Sequence, residues 1–199
     1  MGQTTPDLLW LLVCASLVLL MQAGFLCVEA GLTRSKNAIN VAVKNVSDVA
    51  VVVLAFWSVG FGLMFGASAG GWLGTDDFWA PLSDSGAPGL AAFFLLQALL
   101  CATAATIVSG ASAERIRLTG YLALTLVITT VIYPVFGHWA WAGQHASPSG
   151  WLAALGFVDF AGATVVHSLG GWVALATVLF LGPRRGRFPP DEHPRQLAH

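Results

Sequence analysis

Five apolar stretches, each about as long as a membrane-spanning helix, alternate with short polar segments along this chain. They cover residues 8–28, 46–68, 89–111, 119–142 and 159–181. A helix needs roughly 20 apolar residues to cross the hydrocarbon core of a bilayer. With 56% hydrophobic and only 10% charged residues, a water-soluble fold is excluded. The pattern predicts an all-α integral membrane protein with five transmembrane helices.

The basic residues lie in three places, all on the same side of the predicted membrane. They follow the first, third and fifth apolar runs: Arg34, Lys36 and Lys44; Arg115 and Arg117; Arg184, Arg185, Arg187 and Arg195. The N-terminus and the two remaining connections carry no Lys or Arg. Because cytoplasmic segments are enriched in Lys and Arg, the N-terminus is predicted outside and the C-terminus inside. A net charge of −1 without a basic stripe argues against a nucleic-acid partner.

Two polar features at the ends of the apolar runs allow more than one interpretation. Asp48 follows the first connection, so it is expected to cap the second helix at the inner rim rather than to line a pore. Asp159 opens the fifth run, but the helix could begin as early as Trp151, which would place Asp159 inside it.

Residues 183–199 form a basic, proline-rich tail or connection after a membrane domain of residues 1–182.

A single histidine, His167, lies deep within the fifth run, eight residues after Asp159. Eight residues of helix span about 12 Å, which places His167 near the middle of a hydrocarbon core about 30 Å thick. An ionisable side chain at that depth is costly and usually marks a pathway or binding site. The alternative is a buried histidine that hydrogen-bonds a neighbouring helix.

Four segments together resemble the ammonium transporter (Amt/Mep/Rh) family. They are Glu29-Ala-Gly-Leu-Thr-Arg-Ser-Lys-Asn37, Ser112-Ala-Glu-Arg115, Tyr133-Pro134 with Trp141, and Asp159-Phe-Ala-Gly-Ala-Thr-Val-Val-His167. Members of this family typically have eleven helices, ten of which form two five-helix halves related by inverted topology, and associate as trimers. The resemblance implies that this chain is the first inverted repeat, which requires a second half to complete the pore.

The resemblance also implies roles for individual residues in moving ammonium or ammonia through the plasma or inner membrane. Trp141 would offer a ring face to the cation at the outer mouth, worth roughly 0.5–2 kcal/mol. Asp159 would stabilise positive charge there or, as we favour, hold the local backbone. His167 would be the first of two pore histidines, accepting a hydrogen bond from ammonia or relaying a proton. Leu100 occupies the position where the family often has a phenylalanine gate.

The sequence is also compatible with functions other than transport. The chain could be the membrane half of an ammonium sensor joined to a signalling domain, or an inactive transporter fragment. It shows no Ser–His pair, paired catalytic carboxylates or Cys/His metal cluster at suitable spacing, so neither an enzyme nor a cofactor is predicted. The three cysteines lie inside apolar runs and are expected to pack there as small residues: Cys14, Cys27 and Cys101.

Overall fold

The computed structural model describes residues 4–82, 88–145 and 148–188. Five helices in these ranges are long and apolar enough to cross a membrane, which confirms the predicted number. They are α1 (Thr5–Leu32), α2 (Ser35–Phe65), α3 (Gly89–Ser112), α4 (Leu118–Gln144) and α5 (Ala163–Leu181). The last eleven residues of the predicted tail, 189–199, lie outside the described residues.

Helix α3 lies at the centre of the bundle, where small side chains let the other helices approach closely. It contacts α1, α2 and α5. A run of alanines on α3 is completely buried: Ala98, Ala102, Ala104 and Ala105. Small residues at helix contacts allow the van der Waals packing that holds membrane helices together. These alanines therefore allow the neighbouring helices to pack closely against α3.

Three of the spanning helices contain a π-helical segment, in which each turn carries extra backbone. The segments are Phe56–Gly60 in α2, Ile128–Ile132 in α4 and Ala163–Ser168 at the start of α5. The segment in α4 ends directly before Tyr133-Pro134. Proline cannot donate the usual helical hydrogen bond, so wider backbone spacing before it is expected. Such segments are frequent at functional sites.

The second helix begins well before the predicted start, and Asp48 is not its cap. A 3₁₀ turn at Ser35–Asn37 leads directly into α-helix from Ala38 to Ala55. Asp48 lies in the middle of that helix and is completely buried. The capping prediction was wrong because Lys44, Asn45 and Asp48 all find polar partners inside the bundle. The polar residues therefore continue the helix instead of ending it.

The fifth helix begins after the predicted start. A one-turn helix at Trp151–Ala154 precedes it and is separated from it by a turn. Gly156 and Gly162 in that turn have φ of +91° and +85°, a backbone conformation that favours glycine. Helix α5 starts at Ala163, so Asp159 precedes the helix and the possibility that it lies inside is ruled out.

We call the end of the bundle that holds residues 33–37, 113–117 and 182–188 the basic face. The buried carboxylate of Glu114, 1% exposed, joins its three chain segments. One oxygen accepts hydrogen bonds from Arg34 Nε at 2.8 Å and Asn37 Nδ2 at 2.5 Å, and the other lies 3.3 Å from Arg184 Nη1. Burial alone would raise the pKa of Glu114, but the bonds from Arg34 and Asn37 outweigh it and hold the pKa below its ordinary value.

Replacing Glu114 with glutamine is expected to lower the unfolding free energy by about 1 kcal/mol at neutral pH, because its arginine partners are partly exposed. A carboxyl whose pKa is lowered by folding stabilises the fold above its unfolded pKa. That contribution disappears as the pH falls through the folded pKa. The difference between variant and wild type, measured by denaturant unfolding in detergent, should therefore shrink in acid. A pH-independent difference would contradict the ion-pair explanation.

Candidate functional site

The carboxylate of Asp159 organises the turn that starts α5. Its Oδ1 accepts a hydrogen bond from the backbone N–H of Gly162 at 2.9 Å. Its Oδ2 accepts from Thr164 and Val165 at 2.9 and 2.7 Å. The first N–H groups of a helix have no partner within the helix, and an acidic side chain there satisfies them and complements the helix dipole. The geometry therefore matches the backbone-holding role favoured for Asp159, which is 8% exposed.

Trp141, on α4, contacts the same turn. Its indole Nε1 donates a hydrogen bond to the carbonyl of Asp159 at 2.8 Å. A side chain at Gly162 would lie 3.4 Å from the Trp141 ring and 2.6 Å from Val166, so only glycine fits there. Trp141 is 4% exposed. The structure thus brings Trp141 and Asp159 together, while access of a cation to the tryptophan ring stays a prediction.

His167 lies on an exposed face of α5, within the π-helical segment Ala163–Ser168. The carbonyl of Gly162 accepts from the N–H groups of both Val166 and His167 at 3.0 Å. No described residue hydrogen-bonds the imidazole. Within the described residues of this bundle, His167 is therefore not a buried histidine bonded to a neighbouring helix. The segment fixes the backbone of a histidine whose ring points away from this five-helix bundle.

Leu100 is half-buried on α3 and packs against the hydrophobic core. Gln97 lies one turn nearer the N-terminal end of α3 and is 3% exposed. Its Nε2 donates a hydrogen bond to Gln144 Oε1 at 3.2 Å. This bond ties α3 to the end of α4, three residues beyond Trp141. A gate function of Leu100 stays a prediction.

His138 is a further residue near the site that the sequence did not single out. It is completely buried. Its Nδ1 lies 2.9 Å from the carbonyl of Met64 and its Nε2 lies 2.8 Å from Ser68 Oγ. A neutral ring that donates from Nδ1 and accepts at Nε2 satisfies both contacts. His138 thereby holds α4 against the end of α2, less than one turn before Trp141, and its position in an apolar run was the only sequence signal.

Comparisons with known proteins give the family of this chain. The sequence profile of the Ammonium Transporter Family matches residues 9–199. Ammonium transporter Amt2 of Archaeoglobus fulgidus is 46% identical, over 96% of this chain and 42% of its own length.

Two solved structures have the same fold. One is described as a Sensor Amt Protein, with a TM-score of 0.90 and 45% identity over 96% of this chain and 48% of its own. The other is Candida albicans Mep2, with a TM-score of 0.75 and 30% identity over 89% of this chain and 39% of its own.

The chain spans less than half the length of each of these relatives. Their shared fold, together with the five apolar helices, makes this a multi-pass membrane protein. The Archaeoglobus fulgidus relative is described as an ammonium transporter. The match over nearly the whole sequence places the chain in the ammonium transporter family.

Proposed function

We propose that this chain forms the first half of a pore that carries ammonium or ammonia across a membrane. The observation that carries the proposal is His167: an ionisable side chain in a spanning helix, exposed and without a described hydrogen-bond partner. Such a group is costly against lipid. A second five-helix half placed over this face would enclose the imidazole in a lumen, and three complete subunits would assemble into a trimer.

The proposed mechanism follows from the cost of carrying a charge through an apolar lumen. Ammonium is first held near the turn formed by Trp141 and Asp159, whose ring and carbonyl stabilise positive charge. Deeper in the membrane the ion sheds its proton, because the neutral molecule costs far less to desolvate. His167 then accepts a hydrogen bond from ammonia or takes up the released proton. Leu100 excludes water from the entrance but offers no ring to the cation.

The proposal requires the basic face to be cytoplasmic, as the distribution of Lys and Arg predicts. In a background without native cysteines, single cysteines at Ser149 and Arg185 test this orientation, since both residues are exposed. A membrane-impermeant thiol reagent added to intact cells should label Ser149→Cys only, and Arg185→Cys should react after the membrane is opened. Labelling of both from outside would refute the arrangement.

Residues 1–199 alone are expected not to conduct. Without a second half, His167 faces an open groove that lipid must cover. Vesicles containing this chain should show no saturable uptake of methylammonium, a common substrate surrogate in this family, above empty vesicles. Saturable uptake would mean that the half is self-sufficient and would overturn the two-half pore.

A chimera tests whether this chain supports uptake when a second half is supplied. Residues 1–182 joined to the remaining part of Archaeoglobus fulgidus Amt2, which is 46% identical in this region, should take up methylammonium at a rate comparable with Amt2 itself. His167→Ala in the chimera should remove most of that uptake. A folded chimera whose uptake is insensitive to His167→Ala would contradict the proposed pore role.

A second candidate function is ammonium sensing, favoured by the likeness to the structure described as a Sensor Amt Protein. A sensor would bind ammonium at the Trp141–Asp159 turn without substantial flux. Calorimetric binding by the chimera, combined with uptake no greater than that of empty vesicles, would support the sensor. Binding together with saturable uptake supports the transporter.

A further inference from the structure

A polar network is buried inside the bundle toward the basic face, away from the Asp159 turn and His167. Helices α1 to α4 all contribute to it, and no member is more than 7% exposed. Its members are Gln22, Glu29, Lys44, Asn45, Asp48, Thr103, Thr106, Ser109 and Tyr121. The titratable groups that face Asp48 are Glu29 from α1, Lys44 from α2 and Tyr121 from α4, whereas α3 contributes hydroxyl groups.

The hydrogen bonds around Thr106 require one more hydrogen than Thr103, Thr106 and Gln22 together supply. Thr103 donates its hydroxyl hydrogen to the carbonyl of Leu99 and accepts from Gln22 Nε2 at 3.0 Å. This fixes the amide of Gln22, so its Oε1 faces Thr106 Oγ1 at 2.9 Å and accepts that single hydrogen. Thr106 Oγ1 is also 3.2 Å from Asp48 Oδ2. Two oxygens at that distance attract only when one carries a hydrogen, which Asp48 must provide.

The charge balance of the network also indicates that Asp48 carries a proton. Glu29 Oε2 accepts hydrogen bonds from Ser109 Oγ and Asn45 Nδ2 and lies 3.9 Å from Lys44 Nζ. Glu29 is therefore the ionised partner of the lysine. Asp48 is the second carboxyl group in the cluster, and ionising it as well would leave one net negative charge in the membrane interior. Unbalanced charge there is unfavourable.

The side chains that hydrogen-bond Asp48 are neutral. Its Oδ2 lies 2.5 Å from the hydroxyl of Tyr121, and its Oδ1 has no partner among the described residues. The hydroxyl of Tyr121 lies within hydrogen-bond distance of a second acceptor, the carbonyl of Ala105, at 3.2 Å. The shorter contact is the one to Asp48, and Tyr121 can donate to Oδ2 in both protonation states, because the hydroxyl oxygen of a protonated carboxyl still accepts a hydrogen bond. Both states of Asp48 have a complete set of donors at Oδ2.

A polar cavity of about 290 Å³ lies at the basic face and reaches this network at Lys44. Asn40, Lys44 and Glu114 are among its lining residues. Lys44 belongs to both the cavity wall and the network: its Nζ donates to the carbonyl of Ser109 at 2.9 Å and lies 4.9 Å from the centre of the Tyr121 ring. Beyond Lys44, Asn45 Oδ1 and Glu29 Oε1 are buried acceptors without a described donor. Polar atoms therefore extend from the cavity toward Asp48.

We propose that Asp48 is a proton-binding site, separate from His167, that exchanges its proton with the basic face through the cavity at Lys44. A hydronium ion entering from that face gives up one proton and leaves as water, and an O–H bond forms at Asp48 Oδ2. The new hydrogen is donated to Thr106 Oγ1, and Tyr121 continues to donate its own hydrogen to Oδ2. Loss of the proton reverses this step.

Infrared difference spectroscopy of the purified protein in detergent tests the proposal, because the C=O stretch of a protonated carboxyl lies clear of the amide bands. A single such band should be present at mildly acidic pH and should disappear in Asp48→Asn. Glu29→Gln is the matched control and should retain the band. Loss of the band in Glu29→Gln with retention in Asp48→Asn would show that Glu29 carries the proton and would contradict the proposal. Absence of any band in the wild-type protein would also overturn the site.

Two conservative variants keep the test decisive if Asp48→Asn does not fold. Thr106→Val removes the acceptor of the carboxyl hydrogen, so the band should remain and move to higher frequency; an unmoved band would contradict the assignment. Asn40→Leu narrows the cavity and should slow the deuterium shift of the band after transfer to heavy water, without removing it. Exchange at the wild-type rate would contradict access through the cavity.

Discussion

Replacing Asp159 with alanine is expected to lower the unfolding free energy by about 3 kcal/mol, since a hydrogen bond to a charged group contributes roughly 1.5–3 kcal/mol and three such bonds do not add fully. The change leaves the N–H groups of Gly162, Thr164 and Val165 without their acceptor. The start of α5 should therefore open. Denaturant unfolding in detergent gives the free energy, and amide hydrogen exchange at Thr164 and Val165 gives the local effect.

The matched control is Asp159→Asn, which keeps one carbonyl oxygen at the same position. It can still accept from one side of the turn, so its loss of stability should be about half that of the alanine variant. Fluorescence of Trp141 provides a separate check, because its indole donates to the backbone carbonyl of Asp159 itself. Wild-type stability together with unchanged exchange in Asp159→Ala would refute the backbone-holding role.

Replacing His167 with glutamate in a complete pore is expected to change which species crosses while leaving the folded yield normal. The side chain is exposed on this half and no described residue bonds it, so an acid of similar reach breaks no contact here. Negative charge in the lumen should favour a cation over neutral ammonia. The measurement pairs folded yield after detergent extraction with currents carried by ammonium and by potassium.

The chain offers its own control for this experiment in His138. That residue is completely buried between Met64 and Ser68, so His138→Glu places a carboxyl next to a carbonyl oxygen. An unmatched buried polar group of this kind costs several kcal/mol. Folded yield should collapse for His138→Glu and not for His167→Glu. Collapse in both variants would make His167 a structural residue and remove the main argument for transport.

Hydropathy predicted the five helices because length and apolarity are properties of each segment alone. The structural roles of the polar residues could not be predicted in the same way, because they depend on hydrogen-bond partners that only the fold brings close. Asp48 reads as a helix cap beside Asn45 and Ser47, but Tyr121 and Thr106, far along the chain, provide its hydrogen bonds. Asp159 reads equally well as a cap or an interior residue until the positive φ of Gly162 ends the ambiguity.

The residues of the candidate site could likewise be predicted only in part. The motif from Asp159 to His167 indicated the site, and the structure joins Trp141 and Asp159 directly. The exposure of His167 could not be read from the sequence, because an apolar helix surrounded by apolar helices carries no polar face to mark its orientation. His138 and His167 lie in equally apolar runs, and only packing separates the buried ring from the exposed one.

The turn at the start of α5 is wider than an α-helical turn. The direction in which the His167 side chain points therefore depends on the number of residues in that turn. A π-helical segment is equivalent to one residue inserted into an α-helix, and each residue turns the helix by about 100°. Deleting one residue between Gly162 and His167 would restore ordinary α-helix and rotate the imidazole toward the positions now held by its neighbours. Evolution at this site should therefore tolerate exchanges of side chain more readily than single-residue deletions.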